Sequence, residues 1–232
     1  MSTVGIIPAR GGSKRIPRKN INHFHGRPLI AYAISTMLES NVFDRVVVST
    51  DDDEVASIAR SFGAEVPFVR PAELSDDTTG TGAVIRHAIG RLELDNSVDE
   101  VCLAYPAAVF MTVDDLRDSL DRLRRNTEID YVFSATTFPA PVERALKVGA
   151  DGAASMIHPK HLLTRSQDLE ERYHDVGQFY WGRREAWMSG IPVMTGKSLL
   201  HEIPRWRVQD IDTPDDWVRA EVLFELVSRL DS

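Results

Sequence analysis

The chain has 232 residues, 43 % of them hydrophobic, and a formal net charge of −8. That length suits one large domain, the apolar fraction excludes a disordered chain, and one cysteine (Cys102) excludes a disulfide scaffold. The charge is unevenly placed: no acid precedes Glu39, while Arg10, Lys14, Arg15, Arg18, Lys19 and Arg27 make the head +6 and leave −14 for the rest. An acidic body argues against a general nucleic-acid coat, and the head suits a smaller, concentrated anion. No apolar run reaches the roughly 20 residues of a membrane helix, and the opening apolar stretch is too short for a signal-peptide core, so a soluble cytoplasmic protein is expected.

In chain order, Val4–Ala9 reads as a buried strand meeting a Pro-Arg-Gly-Gly loop. Helical spacing follows over Pro28–Leu38, and Val46-Val47-Val48 marks a second buried strand within Asp44–Thr50. Asp51-Asp52-Asp53 opens a helix to about Phe62, with acids where the dipole favours them. A short strand is expected at Val66–Val69, a helix over Ala83–Leu92, a strand at Glu100–Tyr105, a helix from the cap Thr112 to Arg125 and a strand at Tyr131–Ala135. After an interruption the pattern resumes at Ile191–Thr195, a short strand covers Trp206–Ile211, and a helix capped by Thr213 runs from Pro214 to Leu230. Strands alternating with helices predict an α/β fold with a mainly parallel sheet, which binds ligands at the carboxyl ends of its strands. The interruption, 138–182, holds three prolines and three of the seven histidines. We read residues 1–232 as a single domain carrying that stretch as an inserted, β-rich arm for oligomerisation.

The segment Arg10-Gly11-Gly12-Ser13-Lys14-Arg15-Ile16-Pro17-Arg18-Lys19-Asn20 packs five bases around two glycines directly after the first strand. Glycines let backbone N–H groups approach an anion, Ser13 adds a hydroxyl, and Arg and Lys add charge-assisted bonds to phosphate oxygens. The spacing is neither that of a Walker A loop nor GxGxxG. A solvated basic loop is the plainer alternative. Asp210 and Asp212, expected to follow a strand, would share one face and suit Mg²⁺, which takes one or two carboxylates plus phosphates and water; Asp215 and Asp216 read as helix caps. Asp51 and Asp52 remain open between a cap and a ligand. No HExxH spacing supports zinc, and Cys102 and the four tryptophans read as core or interface residues.

The stretch Ile7–Asn20 resembles the signature of the acylneuraminate cytidylyltransferases, an α/β nucleotidyltransferase family that activates nonulosonic acids with CTP. The similarity continues through Ser49-Thr50-Asp51-Asp52, the segment from Arg70-Pro71 to Asp77-Thr78, and Gln209-Asp210-Ile211-Asp212-Thr213. Thr164–Glu170 and His174–Gly182 are more similar to the pseudaminic acid branch, whose substrate is a di-N-acylated nine-carbon sugar acid. The resemblance implies a Rossmann-like sheet, with Arg10, Gly11, Gly12, Ser13, Lys19 and Asn20 on the triphosphate and Asp51 and Ala107 at the nucleotide. It also implies Mg²⁺ on Asp210 and Asp212, and catalysis by Arg10, Lys19 and Asp212. Gln178 and Tyr180 would lie near the sugar acid, with Gln167 and Asp175 as further candidates and Arg165 as the cation for its carboxylate, supplied across a homodimer. The general base is left open, as is the identity of the acid: N-acetylneuraminic, legionaminic and deoxyoctulosonic acids are the alternatives to pseudaminic acid. A non-catalytic nucleotide-binding module is the alternative from another class. The chain departs from the family at Tyr105-Pro106-Ala107-Ala108-Val109, where a Pro-Thr-Ala/Ser-Pro sequence is usual; a hydroxyl is lost at Ala107 and a proline at Val109.

Overall fold

A computed structural model describes residues 1–76, 78–92 and 98–230. Asp77, quoted in the second motif, lies outside the described residues. β1 (Thr3–Pro8) is followed by a small hairpin, β2 (His23–Phe24) and β3 (Arg27–Pro28), and by α1 (Leu29–Ser40). β4 (Arg45–Ser49), α2 (Asp53–Ser61), α3 (Thr81–Leu92), β5 (Glu100–Ala104), α4 (Val113–Arg125) and β6 (Tyr131–Thr137) continue the alternation. Then come a ribbon of β7 (Leu146–Val148) and β8 (Ala154–Met156), the long β9 (Tyr173–Arg183), α5 (Arg184–Ser189), β10 (Ser198–Glu202) and α6 (Pro214–Leu230).

Six strands form one sheet in the order β10-β6-β9-β5-β1-β4. All neighbours are parallel except β9, which runs antiparallel to both β5 and β6. The strands alternate their side chains between two cores. Ile7, Val46, Val48, Cys102, Phe179 and Trp181 pack on one face with α1 and α4. Val4, Ile6, Val47, Leu103, Tyr131 and Tyr180 pack on the other with α3 and α5. Both faces are covered, as a mainly parallel sheet requires. A third cluster joins Ile16, Phe24, Leu29, Val109, Phe110, Ile211 and Ala220 beneath the loops.

The α/β class and the mainly parallel sheet agree with expectation, while several local elements differ. Val66–Val69 is no strand; this stretch contributes only isolated bridges, Val47 to Glu65 and Thr50 to Val69. The strand expected at Ile191–Thr195 lies instead at β10, an edge strand whose half-buried side chains show no clean alternation. Trp206–Ile211 contains a single 3₁₀ turn, Arg205–Arg207, and no strand. The largest correction concerns 138–182. Only its first part is an arm; from Tyr173 onward it is β9, the sheet's central antiparallel strand. The glycine at 177 hid this, because it sits at a break in the strand. Between Phe133 and Ala135 the pairing jumps from Tyr180 to Asp175, so β9 carries extra residues there. Gly177 takes φ +62° in that bulge, a left-handed conformation that disfavours side chains. The Ser134 hydroxyl fills the gap, accepting from the backbone N–H groups of Gln178 (3.2 Å) and Phe179 (3.1 Å).

Gly182 shows how tightly β9 is packed. A Cβ there would stand 2.4 Å from Trp187 Nε1 and 2.6 Å from Tyr131 Cδ1. Gly182→Ala is expected to cost about 1–3 kcal/mol by overpacking, or about 3–10 °C in Tm for a chain of this size. Thermal unfolding followed by circular dichroism checks this, and an unchanged Tm would contradict the packing described.

Candidate active site

The loops after β1 and β5 leave the carboxyl ends of two parallel strands and meet β9's bulge and the segment before α6. Between them lies a cleft of about 800 Å³. Its lining includes Arg10, Ser13, Lys14, Arg15, Lys19 and Asn20 from the first loop, and Arg70 from the segment after α2. Tyr105, Pro106 and Ala107 follow β5, His174 to Gln178 and Tyr180 come from β9, and Asp210 and Asp212 precede α6. The cleft therefore gathers most of the expected site residues in one place. It is lined by five Lys and Arg residues and by four acids, Asp76, Asp175, Asp210 and Asp212.

The glycine loop is held from behind. Gly11 donates its N–H to Asp51 Oδ1 (3.2 Å), and Asn20 Nδ2 donates to the Arg10 carbonyl (3.0 Å). A Cβ at Gly11 would lie 2.8 Å from the Asp52 Cβ, so this glycine is required by the approach to α2, whereas the space beside Gly12 is open. Asp52 caps α2, accepting from the Val55 N–H (2.9 Å), and pairs with Arg18 (2.6 Å). Burial works against its charge, but these bonds outweigh it and lower its carboxyl below the ordinary value. Asp51, expected at the nucleotide, does not line the cleft. It lies behind the loop, paired with the buried Arg70 (3.4 Å). Asn20 likewise anchors the loop's backbone.

Opposite the loop, Lys19 Nζ donates to the Ile211 carbonyl (2.6 Å) and to Asp212 Oδ1 (3.3 Å), while Arg15 pairs with Asp212 Oδ2 (2.9 Å). Asp210 carries a carboxyl raised above its ordinary value, first by desolvation and then by the charge of Asp212. No strand aligns these two acids. They are aligned by Ile211 between them, which is fully buried in the third core. Two neighbouring carboxylates with a repulsion to relieve are a chemically suitable donor set for Mg²⁺, which completes its shell with phosphates and water. Among the described residues no group of three or more His, Cys, Asp or Glu residues forms a metal cage. A cation here would accordingly depend on substrate oxygens.

The β9 wall is polar and ordered. Tyr180 donates to Asp175 Oδ2 (2.5 Å), and Asp175 Oδ1 accepts the Gly177 N–H (3.0 Å). Burial, then Asp175, drives the Tyr180 hydroxyl far above its ordinary value, so it remains a donor at any working pH. Tyr105 and Thr81 share a hydrogen bond of 3.1 Å across the cleft. Gln178, expected at the sugar, is 4 % exposed and donates from Nε2 to the Arg207 carbonyl (3.0 Å). Arg165 and Gln167 do not line the cleft. They are exposed on the arm, with Arg165 paired to Asp168 (2.9 Å). The departure at Val109 is absorbed by packing, since Val109 is buried in the third core, and Ala107 lines the cleft without a hydroxyl.

Arg70, part of the motif from Arg70 to Thr78 but with no role expected of it, is buried and lines the cleft. An Arg-Pro dipeptide after a helix was the available signal. Arg207 and Asp115, described below, gave none, because both look like ordinary surface charges.

A cationic glycine loop at the carboxyl end of β1, facing paired acids, is chemically suited to an anion such as a phosphate group. Residues 4–93 match the family described as Cytidylyltransferase. The chain is 41 % identical over 227 residues to the pseudaminic acid cytidylyltransferase of Campylobacter jejuni subsp. jejuni serotype O:2, covering 97 % of both chains. It is 30 % identical to the CMP-N,N'-diacetyllegionaminic acid synthase of Legionella pneumophila, again covering 97 % of both. A solved CMP:2-keto-3-deoxy-manno-octonic acid synthetase complexed with CTP superposes with a TM-score of 0.72, over 97 % of this chain and 99 % of that one. At 18 % identity, that likeness speaks for the fold. The chain belongs to the cytidylyltransferase family and is a CTP-dependent nucleotidyltransferase. No helix among the described residues is long and apolar enough to cross a membrane.

Gly11→Ala is expected to push the loop off the α2 cap and to raise the KM for CTP at least tenfold, with a smaller effect on Tm. Steady-state kinetics at varied CTP check this. An unchanged KM would mean that the loop does not carry the nucleotide.

Proposed function

We propose that this protein transfers CMP from CTP to the anomeric hydroxyl of a nonulosonic acid, pseudaminic acid, and releases pyrophosphate, for bacterial surface glycan synthesis. The observation that carries the reading is the contact of Lys19 with Asp212 and the Ile211 carbonyl, which joins the phosphate loop to the paired acids in one cleft. The choice of acid rests on the relatives from Campylobacter, 41 % and 40 % identical. The legionaminic acid synthase, at 30 %, keeps that acid as the runner-up.

In this reading Arg10, Ser13 and Lys19 hold the triphosphate, with Gly12 leaving room for backbone N–H groups to approach it. Asp210 and Asp212 hold Mg²⁺, which when bound supplies charge neutralisation on the phosphates. The sugar's hydroxyl gives up its proton to solvent and its oxygen bonds to the α-phosphorus as the bond from that phosphorus to the bridging oxygen breaks. The negative charge gathering on pyrophosphate is met by Arg10 and Lys19. Asp175, oriented by the hydrogen bond it accepts from Tyr180, presents an acceptor to the acid's polar substituents and turns the substrate's own carboxylate away from that wall. The reaction is placed in the cytoplasm, consistent with a lone, buried, unpaired Cys102.

We further propose a homodimer formed through the arm, where Leu146, Val148, Ile157 and Leu163 are each about half or more exposed. Such an assembly gives Arg165 and Gln167, which miss their own cleft, a route to a partner's.

Incubation with CTP, Mg²⁺ and each of four acids, followed by pyrophosphate release, should show the highest kcat/KM for pseudaminic acid. Lys19→Ala and Asp212→Ala should each lower kcat by about 10²–10³-fold, the scale of a lost charge stabiliser. Normal turnover in both variants would refute the mechanism, and CTP binding without product from any acid would favour a non-catalytic module. Light scattering should give twice the chain mass; a fully active monomer would overturn the supply of Arg165 in trans.

A further inference from the structure

The segment bearing Asp210 and Asp212 lies between the edge strand and α6 without belonging to any strand, so something must fix its course. Its far end is held by α6. Asp216 Oδ2 accepts from the N–H of Thr213 (2.9 Å) and of Asp212 (3.3 Å). Its middle is held by the buried Ile211. Its near end is held by Arg207, whose guanidinium forks onto Asp115 with Nη1 to Oδ2 at 2.7 Å and Nη2 to Oδ1 at 3.0 Å. The same Nη1 reaches the Phe110 carbonyl (3.3 Å) and the Thr112 hydroxyl (3.4 Å).

Asp115 has every reason to be rigid. It closes the capping box at the start of α4, accepting from the Thr112 N–H (3.0 Å) and hydroxyl (2.7 Å), and it meets His201 Nε2 of β10 at 3.2 Å. The side chains of Asp115 and Arg207 are only 6 % and 12 % exposed. Burial opposes the charge on Asp115, yet the bonds from His201, Arg207 and Thr112 keep its carboxyl well below the ordinary value. The Arg207 backbone is gripped from the other side, because its carbonyl accepts from Gln178 Nε2 of β9. A buried, forked Arg–carboxylate pair with further bonds is the geometry that fixes position as well as charge. This one stands three residues from Asp210.

We propose that the Asp115–Arg207 pair, with Gln178 as its second grip, is the positioning device for the metal-binding carboxylates: it sets the course of the Arg207–Asp212 strap and thereby the affinity for the divalent cation. This rests on the reading of Asp210 and Asp212 as the metal ligands. It also reassigns Gln178. That side chain is a tie between the β9 wall and the strap, with its Nε2 spent on the Arg207 carbonyl and its Oε1 sealed from solvent. Partners of this kind, which orient ligands without touching the metal, typically change metal affinity by about 10–100-fold when lost.

The experiment compares the full-length protein with Arg207→Lys, Arg207→Gln, Gln178→Leu, Asp212→Ala and Gly182→Ala. Two quantities are read: the Mg²⁺ concentration giving half-maximal rate at saturating CTP, and Mn²⁺ binding in the presence of CTP by electron paramagnetic resonance, which needs no turnover. Arg207→Gln and Gln178→Leu should raise the half-maximal Mg²⁺ concentration and the Mn²⁺ dissociation constant by about tenfold, Arg207→Lys by less. The KM for CTP at saturating Mg²⁺ should stay within about twofold. Gly182→Ala lowers Tm from a position outside the cleft and should move neither metal quantity, which separates positioning from general loss of stability. If Asp212→Ala loses Mn²⁺ while Arg207→Gln and Gln178→Leu bind it like the parent, the positioning role is wrong and the metal assignment stands. If Asp212→Ala binds Mn²⁺ normally, the metal assignment fails and the inference with it. Should Arg207→Gln not fold, Arg207→Lys and Gln178→Leu decide the matter.

Discussion

The site depends on one contact, that of Lys19 and Arg15 with Asp212. Cations packed into one loop repel each other, and an empty cluster of them would be driven apart. Here the repulsion is met by carboxylates from distant parts of the chain: Asp51 behind Arg70, Asp52 and Glu54 against Arg18, and Asp212 against Lys19 and Arg15. The acids near the loop thus have a structural duty as well as a chemical one. Charges held in place before any ligand binds leave less reorganisation to be made at binding.

That arrangement needs Asp212 to come from far along the chain, and the fold achieves this with the third core. Ile16 of the basic loop, Val109 and Phe110 of the loop after β5, and Ile211 of the acidic strap all bury their side chains in one cluster with Phe24 and Ala220. Burying Ile16, Val109, Phe110 and Ile211 in one cluster anchors the three loops beside the cleft, where Arg15, Ala108, Asp210 and Asp212 line it. Phe24 meets Tyr32, Trp217 and Phe224 edge-on at 5.4–5.7 Å, a geometry favourable for aromatic rings. The arrangement also accounts for Val109. At that position the need is for a buried apolar group, which valine meets as well as proline.

The sequence made the parallel half of this architecture legible because the strands there are short apolar runs ending in turn residues, as Val4–Ala9 and Val46–Val48 show. The Arg10–Asn20 loop was legible for a similar reason, since so many charges rarely gather without a ligand. What escaped was whatever depends on contacts between remote segments. β9 was obscured because its bulge places Gly177 and several polar residues inside a strand, and a bulge exists only in relation to the partner it fails to match. The strap before α6 looked like a strand because Trp206 to Ile211 is rich in apolar and β-prone residues. Its real organiser is the guanidinium of Arg207, whose partner stands 92 positions away in the chain.

These two obscured features are joined, and their connection locates the division of labour in the cleft. Asp175 and Tyr180 of β9 line one part of the cleft, and through Gln178 the same bulge grips the strap that carries Asp210 and Asp212. A regular strand would turn alternate residues to opposite faces and could not aim Asp175 and Gln178 into one cleft while keeping Phe179 and Trp181 in the core. The bulge resolves that conflict by inserting residues where Ser134 can satisfy their backbone N–H groups. β1 and β5 end at the cleft, whereas β9, antiparallel to its neighbours, runs from the cleft into the sheet, and this reversal lets a single strand serve as wall and as tether.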